Sequence, residues 1–264
     1  MDEKAMPTDA PYVLRSDRDG ATTLMLNRAE RFNPLSEEML AALQREIAAI
    51  ASDTSVRVVV LAAQGRAFCA GHDLKQMRAS PSAAYYKKLF DQCSKLMLAI
   101  QQMPQPVIAR VQGIATAAGC QLVAMCDLAV ASTEAKFAVS GVNYGLFCST
   151  PSVALSRNVP RKQAMEMLLT GDFIDAETAL ERGLVNRVAQ TDALDAEVEK
   201  LIAAIVAKPA VAIAMGKQMF YRQAEMGVAA AYQLAGETMA CNMMDEAALE
   251  GVQAFIDKRK PSWR

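Results

Sequence analysis

Two short stretches carry the residue types that let main-chain amides hold an oxygen. The first is Ala67-Phe68-Cys69-Ala70-Gly71-His72-Asp73-Leu74; the second is Gly113-Ile114-Ala115-Thr116-Ala117-Ala118-Gly119-Cys120. Small side chains let backbone N–H groups come close to a ligand. A helix beginning just after the second stretch would add the positive end of its dipole. Two amides aimed at one oxygen would stabilise an enolate or oxyanion, a role in which one lost side-chain donor costs about 3–4 kcal/mol. Spacing alone also fits two structural turns with no ligand. His72 is the only histidine, so a multi-histidine metal site is excluded and no metal is expected. The six cysteines form no CxxC pair, and several sit in apolar runs, as buried reduced thiols do.

The elements that would position these stretches are strands alternating with helices. Residues 22–26, 56–62, 106–111 and 128–131 read as short apolar strands, and 184–188 as a further one. Runs that are apolar throughout are what strands covered on both faces look like. The first small-residue stretch follows the strand at 56–62 directly, and the second follows 106–111. Helical periodicity covers 85–103, 118–126, 161–169 and 176–182, and Ser36 caps a helix carrying Met39, Leu40, Leu43, Ile47 and Ile50. The alternation predicts an α/β fold with parallel βαβ units. From residue 192 the chain turns Ala- and Met-rich, with helices predicted over 193–207, 212–224, 229–243 and 245–258. The expected organisation is a leader at 1–11, an α/β core at 12–191 and a helical region at 192–264.

The chain has 264 residues, with 28 Lys+Arg against 29 Asp+Glu and a formal net charge of -1. That balance gives no general attraction to nucleic acid or an anionic membrane. The N-terminus has no apolar core of a secretory signal, and every long apolar run is cut by a charge such as Arg110, Asp127 or Lys217. The expectation is a soluble, cytoplasmic protein.

Five segments in order resemble the crotonase (enoyl-CoA hydratase/isomerase) superfamily. They are LNRAERFNPLS, AFCAGHDL, PVIARVQGIATAAGCQLVAMCDLAVAS, AMEMLLTGDFIDAETALERGLVNRV and EGVQAFIDKRKPSW, running from about residue 12 to the end. The resemblance implies a spiral of ββα turns with a helical C-terminal trimerisation region, assembled as a trimer or a hexamer. It implies a lyase of fatty acid metabolism acting on an acyl-coenzyme A, with no bound cofactor beyond the coenzyme A of the substrate. The amides of His72 and Ala118 match the two oxyanion donors. Ala70, His72, Asp73, Leu74 and Lys75 match residues along the thioester and pantetheine, and Tyr144 a wall of the acyl pocket, whose depth depends on residues 85–90 and 146–151. Arg28, Arg31 and Phe32 match a loop that meets coenzyme A, and Lys258 and Lys260 match basic residues that reach its phosphates, sometimes in a neighbouring subunit.

The resemblance breaks at the acids. Hydratases of the family divide water and α-proton handling between two glutamates. Here Gln121 stands in the first place and Gly141 in the second. The pattern is similar to the branch of enoyl-CoA hydratase domain-containing proteins. It also resembles the naphthoyl-CoA synthase branch in its glycine, but that branch has an aspartate where Phe147-Cys148 stands. Cys148 lies near the place of a dehalogenase's carboxylate nucleophile, and the His72 side chain is a possible base. Three functions stay open: an enolate-forming enzyme called a hydratase, decarboxylation or carbon–carbon chemistry on an acyl-coenzyme A, and non-catalytic acyl-coenzyme A binding.

Overall fold

The computed structural model describes residues 10–79 and 81–263. All but the last two residues of the expected leader therefore lie outside the described residues. Strands β1 (Val13–Arg18) and β2 (Ala21–Leu26) form a hairpin closed by Asp19 and Gly20, both at positive φ (50° and 80°). Two left-handed residues suit a tight hairpin whose twist matches its strands. Helix α1 (Glu37–Ala51) follows, with the Ser36 side chain accepting from the Met39 N–H. Next come β3 (Val58–Ala63), β4 (Ala67–Cys69), α2 (Leu74–Ala79) and α3 (Ala83–Gln102). The pattern repeats with β5 (Val107–Val111), β6 (Ile114–Thr116) and α4 (Ala118–Met125). It repeats again with β7 (Leu128–Ser132), β8 (Lys136–Ala138) and α5 (Ser149–Asn158). Helix α6 (Arg161–Thr170), β9 (Ile174–Asp175), α7 (Ala176–Glu181) and β10 (Arg187–Ala189) complete the core. The last stretch is α8 (Leu194–Val206), α9 (Ala210–Ala224), α10 (Val228–Met243) and α11 (Glu246–Ile256).

Each turn of the spiral gives one strand to each of two sheets. The larger runs β1-β2-β3-β5-β7-β10 and is parallel except at β1; the smaller runs β4-β6-β8-β9. The all-apolar β3 is buried on both faces, as its composition predicts. Val59 and Leu61 join the main core with α1 and α3, while Val58, Val60 and Ala62 meet Leu194 and Val198 of α8.

Two expectations change. The small-residue stretches do not follow the main-sheet strands directly: three residues of each, Ala67–Cys69 and Ile114–Thr116, form the paired strands β4 and β6. Such short runs of small residues carry no alternation to mark them as strands. The strand expected over 184–188 lies at Arg187–Ala189 instead, because Leu184 closes the end of α7, donating its N–H to the Ala179 carbonyl.

Helix α9 is fastened to the core by a buried ion pair. Lys217 Nζ lies 2.7 Å from Asp127 and donates to the carbonyls of Ile100 and Gln105; the Tyr221 hydroxyl donates to the other Asp127 oxygen at 2.9 Å. Asp127 also accepts from the Val107 N–H, so its role is structural. In the single chain α10 and α11 expose large apolar side chains, among them Tyr232 and Phe255.

Candidate active site

Both small-residue stretches meet at one point. A Cβ built on Gly119 would fall 2.1 Å from the Cys69 carbonyl oxygen, so only glycine lets α4 press its first turn against the end of β4. A Cβ on Gly71, which has φ +88°, would lie 3.2 Å from the Ala118 nitrogen. Between them Ala117 holds φ 51° and ψ -122°. A non-glycine residue in that region costs about 1–3 kcal/mol, a strain that persists only where the surroundings enforce it. Here the Ala117 N–H is held by the Ala138 carbonyl, which fixes the turn from which the α4 amides begin. The loop before α1 braces the other side: the Ala70 N–H donates to the Phe32 carbonyl at 3.0 Å, and the Leu35 N–H to the Gly71 carbonyl at 2.7 Å.

The junction opens into a cavity of about 180 Å³ lined by Ala70, His72, Leu74, Ala118, Gly141, Tyr144 and Cys148, all singled out from the sequence. Phe90 of α3 and residues 146–151, from the segments expected to set its depth, line it as well. Met77 of α2 was missed: it sits in a short helix, and no sequence signal separates it from a core residue. No Asp, Glu, Lys or Arg is among the lining residues.

His72 faces two ways. Its Nδ1–H donates to the Leu35 carbonyl at 3.1 Å, and its ring packs 5.5 Å from that of Phe90. The Nε2 lone pair is buried with no hydrogen-bond partner. Burial holds the imidazole below its ordinary pKa, against the opposing hydrogen bond to Leu35, so the ring is neutral near pH 7.

The two glutamate places look different in space. Gln121 is 5% exposed, does not line the cavity, and its Oε1 has no hydrogen-bond partner. At Gly141 there is no room for a side chain: a Cβ would meet the Leu146 carbonyl oxygen at 2.4 Å and Cys148 Sγ at 2.7 Å. The Gly141 N–H donates to that sulfur at 3.3 Å. Burial pushes the Cys148 thiol pKa up, opposed by this hydrogen bond. Cys69, Cys93 and Cys120 are buried more deeply, and their thiols are pushed up to about 12.

The remaining expected residues do not line the cavity. Asp73 caps α2, accepting from the N–H groups of Lys75 and Gln76. Lys75 belongs to that short exposed turn. Arg28 is committed to the N-terminal segment, donating to the Ala10 and Pro11 carbonyls and stacking 3.8 Å over the Tyr12 ring. Arg31 is exposed, and the Phe32 ring carries the Arg66 guanidinium at 4.5 Å. Lys258 and Lys260 follow α11 at the exposed C-terminal end. Among the described residues no group of three potential metal ligands occurs, and no helix is long and apolar enough to cross a membrane.

Comparison with known proteins agrees with this architecture. The profile of the Enoyl-CoA hydratase/isomerase family matches residues 17–264. Among curated proteins, the chain is 44% identical over 253 residues to the mitochondrial enoyl-CoA hydratase domain-containing protein 3 of Xenopus laevis, covering 96% of this chain and 86% of that one. Among solved structures, an enoyl-CoA hydratase of Mycobacterium smegmatis is 64% identical with a TM-score of 0.95, covering 96% of this chain and 99% of that one. Human enoyl-CoA hydratase domain-containing protein 3 is 42% identical with a TM-score of 0.93, covering 96% and 100%. The cytoplasmic location expected from composition is corrected by these relatives: the vertebrate proteins at 42–44% identity are named mitochondrial. Absence of a secretory signal does not discriminate between those compartments. The match over nearly the whole length, on a spiral of two-sheet turns with a helical C-terminal region, makes the chain a member of the enoyl-CoA hydratase/isomerase family of the crotonase superfamily, on the branch of the enoyl-CoA hydratase domain-containing proteins.

Proposed function

We propose that the chain is an acyl-coenzyme A enzyme that holds the thioester carbonyl oxygen between the main-chain N–H groups of His72 and Ala118, and so stabilises an enolate. The supporting observation is the junction of the two stretches: Gly71 packs against the Ala118 nitrogen, and His72 and Ala118 line one cavity. The start of α4 contributes its dipole to the same place. Donors fixed in advance around a developing oxyanion are the largest single contribution in many acyl-transfer and enolate sites. Coenzyme A enters as part of the substrate. Assembly as a trimer or hexamer is part of this reading, with the exposed apolar faces of α10 and α11 as the contact surfaces and Lys258 and Lys260 free to serve a neighbouring chain.

Hydration by a glutamate pair has no support in a cavity without carboxylates. One feature favours a second reading, decarboxylation or carbon–carbon cleavage: bond breaking itself creates the enolate, with no protein base required. Purified protein mixed with trans-2-butenoyl- and trans-2-decenoyl-coenzyme A tests hydration through loss of the conjugated-thioester absorbance. Malonyl-type thioesters followed by mass spectrometry test the second reading. Calorimetry with butanoyl-coenzyme A tests the shared premise, and absence of binding would refute both. Binding with no turnover in any assay would leave acyl-coenzyme A binding as the function.

A further inference from the structure

The proposed enolate needs a proton on its α-carbon to become product, and the cavity contains no carboxylate to deliver one. Three titratable side chains line it: His72, Tyr144 and Cys148. His72 spends its Nδ1–H on the Leu35 carbonyl, and its Nε2 carries only a lone pair, buried away from solvent. Tyr144 is 76% exposed and stands at the rim. Cys148 is 7% exposed, and its sulfur occupies the volume that a side chain at position 141 would need. The Gly141 N–H points at that sulfur, a contact that strengthens when the sulfur carries negative charge. The sulfur accepts from Gly141, so its own S–H is free to turn to a ligand. Burial also keeps the thiol protonated in the neutral range.

We propose that the Cys148 thiol is the proton donor to the α-carbon of the bound thioester enolate, taking the place of the family's second glutamate. The proposal rests on the enolate reading above. In the step, the S–H bond breaks and its proton goes to the α-carbon. The enolate C=C electron pair forms the new C–H bond, and the oxyanion charge returns to the carbonyl. The thiolate left behind is held by the Gly141 N–H and takes a proton from water. The same step run backwards lets the thiolate remove an α-proton.

The test is exchange of the α-hydrogens of butanoyl-coenzyme A in D2O, read by mass spectrometry at pH values from neutral into the alkaline range. Calorimetry measures binding of the same compound. The wild-type rate should rise with pH as the thiolate forms. Cys148→Ser and Cys148→Ala should bind butanoyl-coenzyme A as tightly as wild type and exchange at least about 100-fold more slowly, the lower end of what general acid–base groups contribute. The pH dependence should disappear in both. A serine keeps the size and the Gly141 contact but cannot ionise, so a packing role alone predicts that it behaves as wild type. Wild-type exchange rates in both variants, or no exchange in a wild-type protein that binds, would overturn the role of Cys148. Failure of the wild type to bind would instead remove the functional reading beneath it.

Discussion

Replacing Gly119 with alanine tests whether the two small-residue stretches are held together by contact between backbones. The new Cβ would sit 2.1 Å from the Cys69 carbonyl oxygen and 2.7 Å from its carbon. An ordinary C···O contact is about 3.3 Å or longer, so β4 and α4 must separate by roughly 1 Å. Both sides of the clash involve main chain, so no rotamer change relieves it. Overpacking of this kind costs about 1–3 kcal/mol in stability, and the rigid partners put this case near the top of that range. The effect on chemistry should be larger in proportion. A misplacement of about 1 Å can cost about 100-fold in rate, and an oxyanion donor removed outright costs about 10²–10³-fold. Urea unfolding gives the first quantity, and α-hydrogen exchange of butanoyl-coenzyme A gives the second. Gly216→Ala is the control: it lies in the exposed interior of α9 with nothing within 4 Å of its Cβ position, and should gain about 0.5–1 kcal/mol. If Gly119→Ala unfolded at the wild-type urea concentration and exchanged at the wild-type rate, the close approach would not be what sets the amides.

Lys217→Met removes the cation from a pair whose side chains are only 6% and 15% exposed, leaving Asp127 buried without its counter-charge. The expected loss is about 3–5 kcal/mol, read as a lower urea midpoint; no change would show that α9 is held by its apolar contacts alone. Ser36→Ala removes the side-chain acceptor of the Met39 N–H at the start of α1 and should cost about 1 kcal/mol in the same assay. His72 sets a pH dependence. Burial depresses its pKa in the folded protein, so below about pH 6.5 the unfolded chain binds a proton that the folded one refuses. The His72 contribution is therefore complete above that pH and is lost as the pH falls toward the folded value, at up to about 1.4 kcal/mol per pH unit. In urea titrations from about pH 5 to 7.5, His72→Gln should show a shallower acid slope than wild type; parallel slopes would place the imidazole in solvent.

The main sheet was legible because its strands are extreme. A run such as Val58-Val59-Val60-Leu61 has no polar face to offer solvent, and both faces are indeed covered. The cap at Ser36 was legible from local chemistry of the same directness, and α3, α4 and α9 end within one residue of the expected positions. Strand β1 was not, because Arg15-Ser16-Asp17-Arg18 on an outer strand looks like a loop. The smaller sheet was hidden by brevity: three residues pair with neighbours far away in sequence, and nothing within Ala67–Cys69 announces that partner. Of the site, the meeting of the two small-residue stretches was readable, since such a stretch next to a strand advertises close approach. The segments 85–90 and 146–151 were expected to shape the pocket, but which of their side chains face it was not readable, because that depends on where a whole helix is placed.

Gly141 shows why a missing residue can mislead when read as a letter. In the sequence, glycine in place of glutamate is a deletion, and the natural conclusion is a vacated site. In space the volume is filled: the Leu146 carbonyl and the Cys148 sulfur already stand where a side chain would begin. Gly141→Glu alone therefore cannot restore a family acid, because its Cβ would displace the segment 146–148 that carries Phe147 and Cys148 into the cavity. Positions 141 and 148 form one unit: the Cys148 sulfur stands where a side chain at 141 would begin and accepts from the Gly141 N–H. On the proposal above, this thiol is the proton donor, and the exchange assay on the Cys148 variants decides between that site and one that only binds its thioester.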